Sequence, residues 1–215
     1  MLKRHARVLA QKHRLASGRD SNPLLARLSA NEQLLQDYNE QTLLVEKKRR
    51  ITPAAEWLLD NFYLIEEQIR MARRHLPRGF SRELPRLASG PSANLPRVYD
   101  LAFELISHVD GRVDAEHLTG FIAGYQEIAP LQLGELWAVP IMLRLALIEN
   151  LRRIAALLAR ERKARDSAEF WADRLIHIAE TEPEKQIIEV ARLAQSNVEL
   201  NRAFVAQFWS RLQQK

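Results

Sequence analysis

The sequence predicts an all-α fold, a multi-helix bundle of roughly eight to ten helices with no sheet. Apolar residues recur at three- and four-residue spacing through most of the chain, and no stretch alternates apolar and polar residues long enough to predict a strand. Apolar residues make up 47% of the 215 residues and only seven are glycine, which is typical of a globular helical protein.

Charge divides the chain into a basic N-terminal arm at residues 1–22 and a single helical domain at residues 23–215. The whole chain has a net charge of +5, whereas the part after residue 19 sums to about −1. We therefore expect any attraction to an anionic membrane or to nucleic acid to come from the arm, although its lack of base-stacking aromatic residues disfavours nucleic acid. The cations of this electrostatic contact arm are Lys3, Arg4, Arg7, Lys12, Arg14 and Arg19.

The first elements follow from spacing and capping residues. Residues 1–16 fit a short basic helix, and good helix formers run from Leu24 to Lys48. Thr52 with Pro53 predicts an N-cap and first turn, which open a helix that stops before Pro77. The segment 77–96 holds four of the nine prolines and is predicted to be irregular.

The second half continues in helices. A helix is expected from Pro96 to Val109 with Gly111 at its C-terminal cap, and Asp114 caps the next one. A helical pattern then runs from residue 132 to residue 162, where Pro140 predicts a kink or a break. Three short helices are predicted to complete the chain, since capping-box spacing recurs at Asp166, Thr181 and Ser196.

Two glycines lie inside the helix that follows Asp114. Gly120 and Gly124 each cost ~1 kcal/mol relative to alanine within a helix, so a compensating contact is expected. We favour the close approach of a neighbouring helix backbone, and a ligand groove is the alternative.

Charged residues within the most apolar stretch, at 136–151, predict a buried polar network. Arg144 and Glu149 both lie in this stretch, where an unpaired charge is costly. Glu149 can reach Arg152 or Arg153 at helical spacing. The structural interpretation is a network that fixes helix register, and the functional alternative is a polar pocket for a sugar or phosphate. The candidate acidic partners of Arg144 are Asp60, Glu66, Glu104 and Glu135.

Signatures of catalysis are missing from the sequence. The chain has no cysteine, no phosphate-binding glycine motif and no nucleophile elbow, and no histidine follows a glutamate at the three-residue spacing of di-metal bundles. Glu104, His108 and Asp110 are interpreted as a solvated helix end. No secretory signal or ~20-residue apolar span is visible, so we expect any membrane link to be peripheral or outside this chain.

Four long segments of the sequence carry a family resemblance. They are PAAEWLLDNFYLIEEQI at 53–69, LPRGFSRELPRL at 76–87, PRVYDLAFELISHVDGRVD at 96–114 and PLQLGELWAVPIMLRLALIENLRR at 130–153. Together they resemble the N-terminal region of bacterial cyclic β-1,2-glucan synthases, which are very large inner-membrane glucosyltransferases. The resemblance weakens toward both ends of the chain.

This resemblance implies that glucosyl transfer from UDP-glucose belongs to modules downstream of residue 215. The chain would then be a fragment or a stand-alone relative that holds no catalytic residue, cofactor or metal. As a fragment it would act as a scaffold or docking domain on the cytoplasmic side of the inner membrane, with the glycosyltransferase module of the same polypeptide and an anionic membrane surface as partners. The alternative is an independent helical binding module whose arm contacts anionic lipid or nucleic acid.

Overall fold

The computed structural model describes residues 1–16, 23–47, 51–76, 83–109 and 111–213. Within these ranges the chain forms nine α-helices and no β-strand, so the predicted all-α fold and the predicted number of helices are confirmed. Two isolated antiparallel bridges, Leu15 with Leu87 and Arg86 with Pro96, are the extended pairings of the described chain.

The connections between the α-helices range from the single residue Asn61 to residues 76–96. A single turn of 3-10 helix at Pro183–Lys185 precedes α8. The helices are α1 (Leu2–Lys12), α2 (Pro23–Glu46), α3 (Pro53–Asp60), α4 (Phe62–His75), α5 (Arg97–His108), α6 (Ala115–Gln126), α7 (Leu133–Thr181), α8 (Gln186–Gln195) and α9 (Arg202–Gln213).

Contacts group the residues into two compact units, Met1–Ile154 and Ala155–Lys215, and α7 contributes residues to both. The sequence instead divides the chain at residue 22. The predicted boundary between a basic arm at residues 1–22 and a helical domain at residues 23–215 stays a prediction.

The first helix is part of the core of the first unit. α1 packs against α6 and α5, because its small and apolar residues share one face at helical spacing. The segment predicted as a basic arm therefore has a buried side as well as a charged one. The cluster it joins contains Ala6, Leu9, Ala10, Leu101, Leu105, Phe121, Tyr125 and Leu131.

The predicted cap at Thr52 is confirmed, because its hydroxyl accepts a hydrogen bond from the Ala55 N–H at 3.4 Å. The helix it opens is divided at Asn61 into α3 and α4, and both contact α2. α2 ends at Glu46, one residue before the end of the described range, so the predicted end at Lys48 lies outside the described residues.

The described part of the proline-rich segment, residues 83–96, is irregular but packed. Leu84, Leu87 and Leu95 are buried. The Ala16 N–H donates to the carbonyl oxygen of Arg86 at 2.9 Å, which ties this segment to the residues that follow α1. Residues 77–82 of the predicted irregular segment lie outside the described residues.

The longest helix differs from the sequence prediction. α7 runs through Pro140 without a break and continues through Asp166, where a new helix had been predicted to begin. Ala164, Ala168 and Ala172 recur every four residues and are buried, and this packing keeps the segment helical despite the capping-box spacing.

The last two helices also begin later than predicted. α8 starts at Gln186 rather than near Thr181, and α9 starts at Arg202 rather than near Ser196. The side chain of Asn201 accepts a hydrogen bond from the Phe204 N–H at 3.0 Å and caps α9. Phe204 is buried in the core of the second unit, against Ala164 and Ala168.

None of the described helices combines the length and the apolar character needed to cross a bilayer.

Candidate functional site

The close approach of a helix backbone that was predicted at the glycines of α6 is confirmed at Gly124. A Cβ atom built on Gly124 would lie 3.0 Å from the carbonyl oxygen and 3.2 Å from the Cα of Lys3, both backbone atoms of α1. At Gly120 the nearest atom is the Cε of Lys3, at 3.6 Å. The backbone of α1 therefore occupies the surface at which a ligand groove was the alternative.

Glu135 is fully buried and forms a bidentate pair with Arg97. The guanidinium donates from Nε to Oε1 and from Nη2 to Oε2, each at 2.6 Å. Arg97 Nη2 also donates to the Pro130 carbonyl at 2.8 Å, and the Gln132 N–H donates to Glu135 Oε2 at 2.9 Å. The hydrogen bond to Glu135 raises the pKa of Arg97, so the guanidinium keeps its charge in the core.

A second buried group lies beside this pair. His13 Nδ1 is 2.8 Å from the Tyr125 hydroxyl, and His13 Nε2 is 3.0 Å from Asp100 Oδ2. The Tyr125 hydroxyl is also a hydrogen-bond partner of Arg97, and its burial raises the pKa of Tyr125. The C-terminal end of α1 is thereby joined through polar groups to α5, α6 and α7.

Glu149 is the centre of a separate buried cluster. Arg27 donates to its two oxygens at 3.0 Å each, Asn31 donates to Oε2 at 2.8 Å, and Arg152 donates to Oε1 at 3.1 Å. Burial disfavours the carboxylate form, but the Asn31 hydrogen bond and the Arg27 charge outweigh it, so the pKa of Glu149 lies below its usual value. Arg27 also donates to the Tyr99 hydroxyl at 3.2 Å. The space between Arg27, Asn31 and Tyr99 does not admit a water molecule.

The structure places the predicted members of the polar network in different clusters. The predicted partnership of Glu149 with Arg152 is present, whereas Arg144 donates to Gln68 Oε1 at 3.0 Å instead of to an acid. Asp60 is exposed at the end of α3, and Glu66 is half-buried on α4. The remaining two predicted acids, Glu135 and Glu104, are taken by Arg97 and His5.

Glu104 and His108 do lie together, as the sequence suggested, and a histidine from α1 joins them. His5 Nε2 is 2.9 Å from Glu104 Oε2, and the rings of His5 and His108 meet edge to face with centroids 3.9 Å apart. One ligand atom from each of the three residues lies within 4.8 Å of the others. Asp110, the third residue of the predicted grouping, lies outside the described residues.

The described residues form packed ionic clusters, and no catalytic set is recognisable among them. No protein-family profile matches the chain. The chain is 41% identical, over 189 residues, to cyclic beta-(1,2)-glucan synthase NdvB of Rhizobium meliloti (strain 1021). The chain is similar to part of a cyclic β-(1,2)-glucan synthase. This confirms the resemblance carried by the four central segments.

The match to NdvB is unequal in extent. It covers 87% of this chain but only 6% of NdvB. Most of that synthase therefore has no counterpart in the sequence described.

The described cations of the contact arm are all exposed: Lys3, Arg4, Arg7, Lys12 and Arg14. Arg7 Nε is 2.6 Å from Glu127 Oε2, an ion pair that lowers the pKa of Glu127, and Arg14 donates to the backbone carbonyl of Gln11 at 2.7 Å. Arg19 lies outside the described residues. Arg7 and Arg14 of the contact arm therefore interact with other groups of this chain.

The second unit has its own buried carboxylate. Glu189 accepts hydrogen bonds from Arg174, at 2.6 Å to Oε2, and from Arg192, and the Arg174 hydrogen bond lowers the pKa of Glu189. Beside it an open, almost wholly apolar groove of about 490 Å³ is lined by residues of α7, α8 and α9. Ile187 in this groove is 82% exposed, and Trp209 on α9 is 62% exposed.

Sequence reasoning missed Arg97, Arg27, Asn31, His13 and Asp100. Arg97 had a detectable signal, because it is an arginine in the first turn of a helix whose other face is apolar, where a positive charge is unfavourable without a partner. The remaining residues have no signal of this kind, since each meets a partner on a distant helix.

Proposed function

We propose that this chain is a non-catalytic helical region of a cyclic β-(1,2)-glucan synthase, where it serves as a scaffold or docking domain for the glucosyltransferase module. The observation that carries the proposal is the 41% identity to NdvB over 87% of the chain. Glucosyl transfer from UDP-glucose is assigned to other parts of such a synthase, because the match covers 6% of NdvB.

The state of the buried carboxylates supports a structural role. A carboxylate that acts on a substrate needs an oxygen directed into a cleft within hydrogen-bonding reach of the reacting group. In Glu135 and Glu149, both oxygens instead accept hydrogen bonds from arginine and amide donors of the same chain. Such fully satisfied networks fix the packing of helices against one another.

The apolar groove of the second unit supports docking. Ile187, Val190 and Leu212 line this groove, and isolated proteins rarely expose large contiguous apolar patches without a binding role. We propose that this groove receives an apolar element of the glucosyltransferase module, on the cytoplasmic side of the inner membrane.

Exchange of the matching segment in NdvB tests this proposal. Deletion of the 189-residue segment that matches this chain should abolish or strongly reduce glucan synthesis from UDP-glucose in membrane preparations, and insertion of the present chain in its place should restore it. The same chimera carrying Ile187→Asp and Val190→Asp should lose the restored synthesis. A control chimera with Trp57→Asp, which alters an exposed residue of the first unit, should keep it. Unchanged synthesis after deletion would contradict a scaffold role.

Variants of the basic arm distinguish docking through the groove from the alternative function, an electrostatic binding module. A chimera with Lys3→Gln, Arg4→Gln and Lys12→Gln should keep its glucan synthesis and its membrane association if docking through the groove is decisive. Loss of both, together with salt-sensitive binding of the isolated chain to vesicles of anionic but not zwitterionic lipid, would favour the electrostatic binding module instead.

A further inference from the structure

We propose that His5, Glu104 and His108 form a binding site for a divalent transition metal ion, with zinc as the best match, that fastens α1 to α5. The three side chains come from two helices, and one ligand atom from each lies within 4.8 Å of the other two. This inference rests on the first unit alone and is independent of the role in glucan synthesis.

The spacing on α5 provides two ligands on one face. Glu104 and His108 are four residues apart, so their side chains project from successive turns of the same helix. His5 reaches them from α1, and its Nε2 atom is 2.9 Å from Glu104 Oε2.

Packing fixes the position of the His5 ring. It stacks on the fully buried Phe121 with ring centroids 6.1 Å apart, while its edge meets the ring of His108 at 3.9 Å. Two imidazoles and a carboxylate are thereby held together before any ion arrives, which lowers the entropic cost of binding.

The distances suit a tetrahedral ion. Zinc lies about 2.0–2.2 Å from histidine nitrogen and carboxylate oxygen, which places neighbouring ligand atoms about 3.4 Å apart in a tetrahedron. The present separations, 2.9 Å between His5 Nε2 and Glu104 Oε2 and at most 4.8 Å within the whole set, lie on either side of that value. His108 is exposed, so the ion has a path from solvent and a water molecule can complete its coordination.

The donor set selects the class of ion. Imidazole nitrogen binds zinc, cobalt, nickel and copper well, whereas magnesium and calcium prefer a shell of oxygen atoms. Two histidines with one glutamate form the set found in zinc sites with three protein ligands and one open position.

The test uses the full chain without a histidine tag, after treatment with a chelator. Titration with zinc chloride, followed by calorimetry, should show one ion bound per chain, and cobalt chloride should produce the visible absorption of tetrahedral cobalt. At zinc concentrations about a hundredfold above the dissociation constant, the melting temperature should rise by about 5–10 °C. Magnesium chloride should change neither signal.

Variants decide where the ion binds. His108→Ala removes an exposed ligand and Glu104→Gln keeps the side-chain shape, so both should fold and bind zinc at least tenfold more weakly. The matched control is His117→Ala, because His117 is an exposed histidine paired with a carboxylate, Asp114, at 2.7 Å. Absence of a one-to-one zinc signal, or equal zinc affinity in His108→Ala and the parent chain, would overturn the assignment.

Discussion

The backbone of Lys3 crosses Gly124 so closely that a methyl group on the glycine would lie 3.0 Å from the Lys3 carbonyl oxygen. This contact explains why α6 tolerates a residue that weakens helices. It also joins the first helix of the chain to the sixth, through the cluster that contains Ala6, Leu9 and Phe121.

The two glycines of α6 should therefore respond oppositely to alanine. Gly124→Ala forces α1 away and should lower the free energy of unfolding by about 1–2 kcal/mol, the clash outweighing the gain in helix propensity. Gly120→Ala meets only the end of the flexible Lys3 side chain, at 3.6 Å, and should raise stability by up to about 1 kcal/mol. Urea unfolding of both variants measures this, and equal effects would show that α1 does not hold its place on α6.

Truncation of Leu9 tests whether α1 belongs to the core. Leu9 is 8% exposed within the apolar cluster that α1 joins, so Leu9→Ala should cost about 2–3 kcal/mol of unfolding free energy. Val8, its neighbour in sequence, is 39% exposed, and Val8→Ala should change stability by less than about 0.5 kcal/mol. Thermal and urea unfolding would measure this difference. A small effect in both variants would show that α1 is a solvated arm and not part of the core.

Removal of the Glu135 charge should be among the most damaging single changes. Glu135→Gln leaves the guanidinium of Arg97 buried without its counter-ion and should lower the unfolding free energy by about 3 kcal/mol. The control is Asp173→Asn, which breaks the exposed pair with Arg211, at 2.7 Å, and should leave stability nearly unchanged. Similar losses in the two variants would mean that burial does not set the strength of these pairs.

The depressed pKa of Glu149 predicts an acid-dependent loss of stability. A carboxylate whose pKa is lower in the folded chain stabilises fully above its unfolded pKa of about 4.3, and this stabilisation declines as pH falls through the folded pKa. Glu149→Gln should therefore be less stable than the parent chain by about 2 kcal/mol at pH 7, and the difference should shrink below about pH 4.

Urea unfolding of both proteins between pH 7 and pH 3 would measure that difference. A gap that stays constant over the whole range would show that Glu149 keeps an ordinary pKa in the folded chain. A change of Glu46 to Gln, at the exposed end of α2, provides a control for general charge effects.

Local signals in the sequence were sufficient for most helices and for one tertiary contact. Thr52 with Pro53 and Gly124 were interpreted correctly, because capping and close backbone approach depend on a few residues near one another. Gly120 differs, since it meets only the end of the Lys3 side chain. The helix start predicted at Asp166 was wrong. Its capping-box spacing lies within α7, which buried alanines keep continuous.

The ionic partners could not be predicted to the same degree. Helical periodicity shows which side of a helix faces inward, but it does not show which helix lies opposite. Arg27 and Glu149 are 122 residues apart in sequence, so only tertiary structure identifies them as partners. Four acidic residues were candidate partners of Arg144, but Arg144 donates to the neutral Gln68. Helical spacing alone does not show that this face of α4 lies opposite Arg144.

The long sequence separation of these contacts has a consequence for synthesis on the ribosome. His13 leaves the ribosome well before Tyr125, which follows 112 residues later, a delay of roughly 6–22 s at typical elongation rates. During that interval Leu9 has no α6 to pack on, and its helix is too short to persist alone in water. In the nascent chain α1 therefore stays unfolded until α6 has been made, and a pause before residue 125 would lengthen the time in which the apolar face of α1 is open to other proteins.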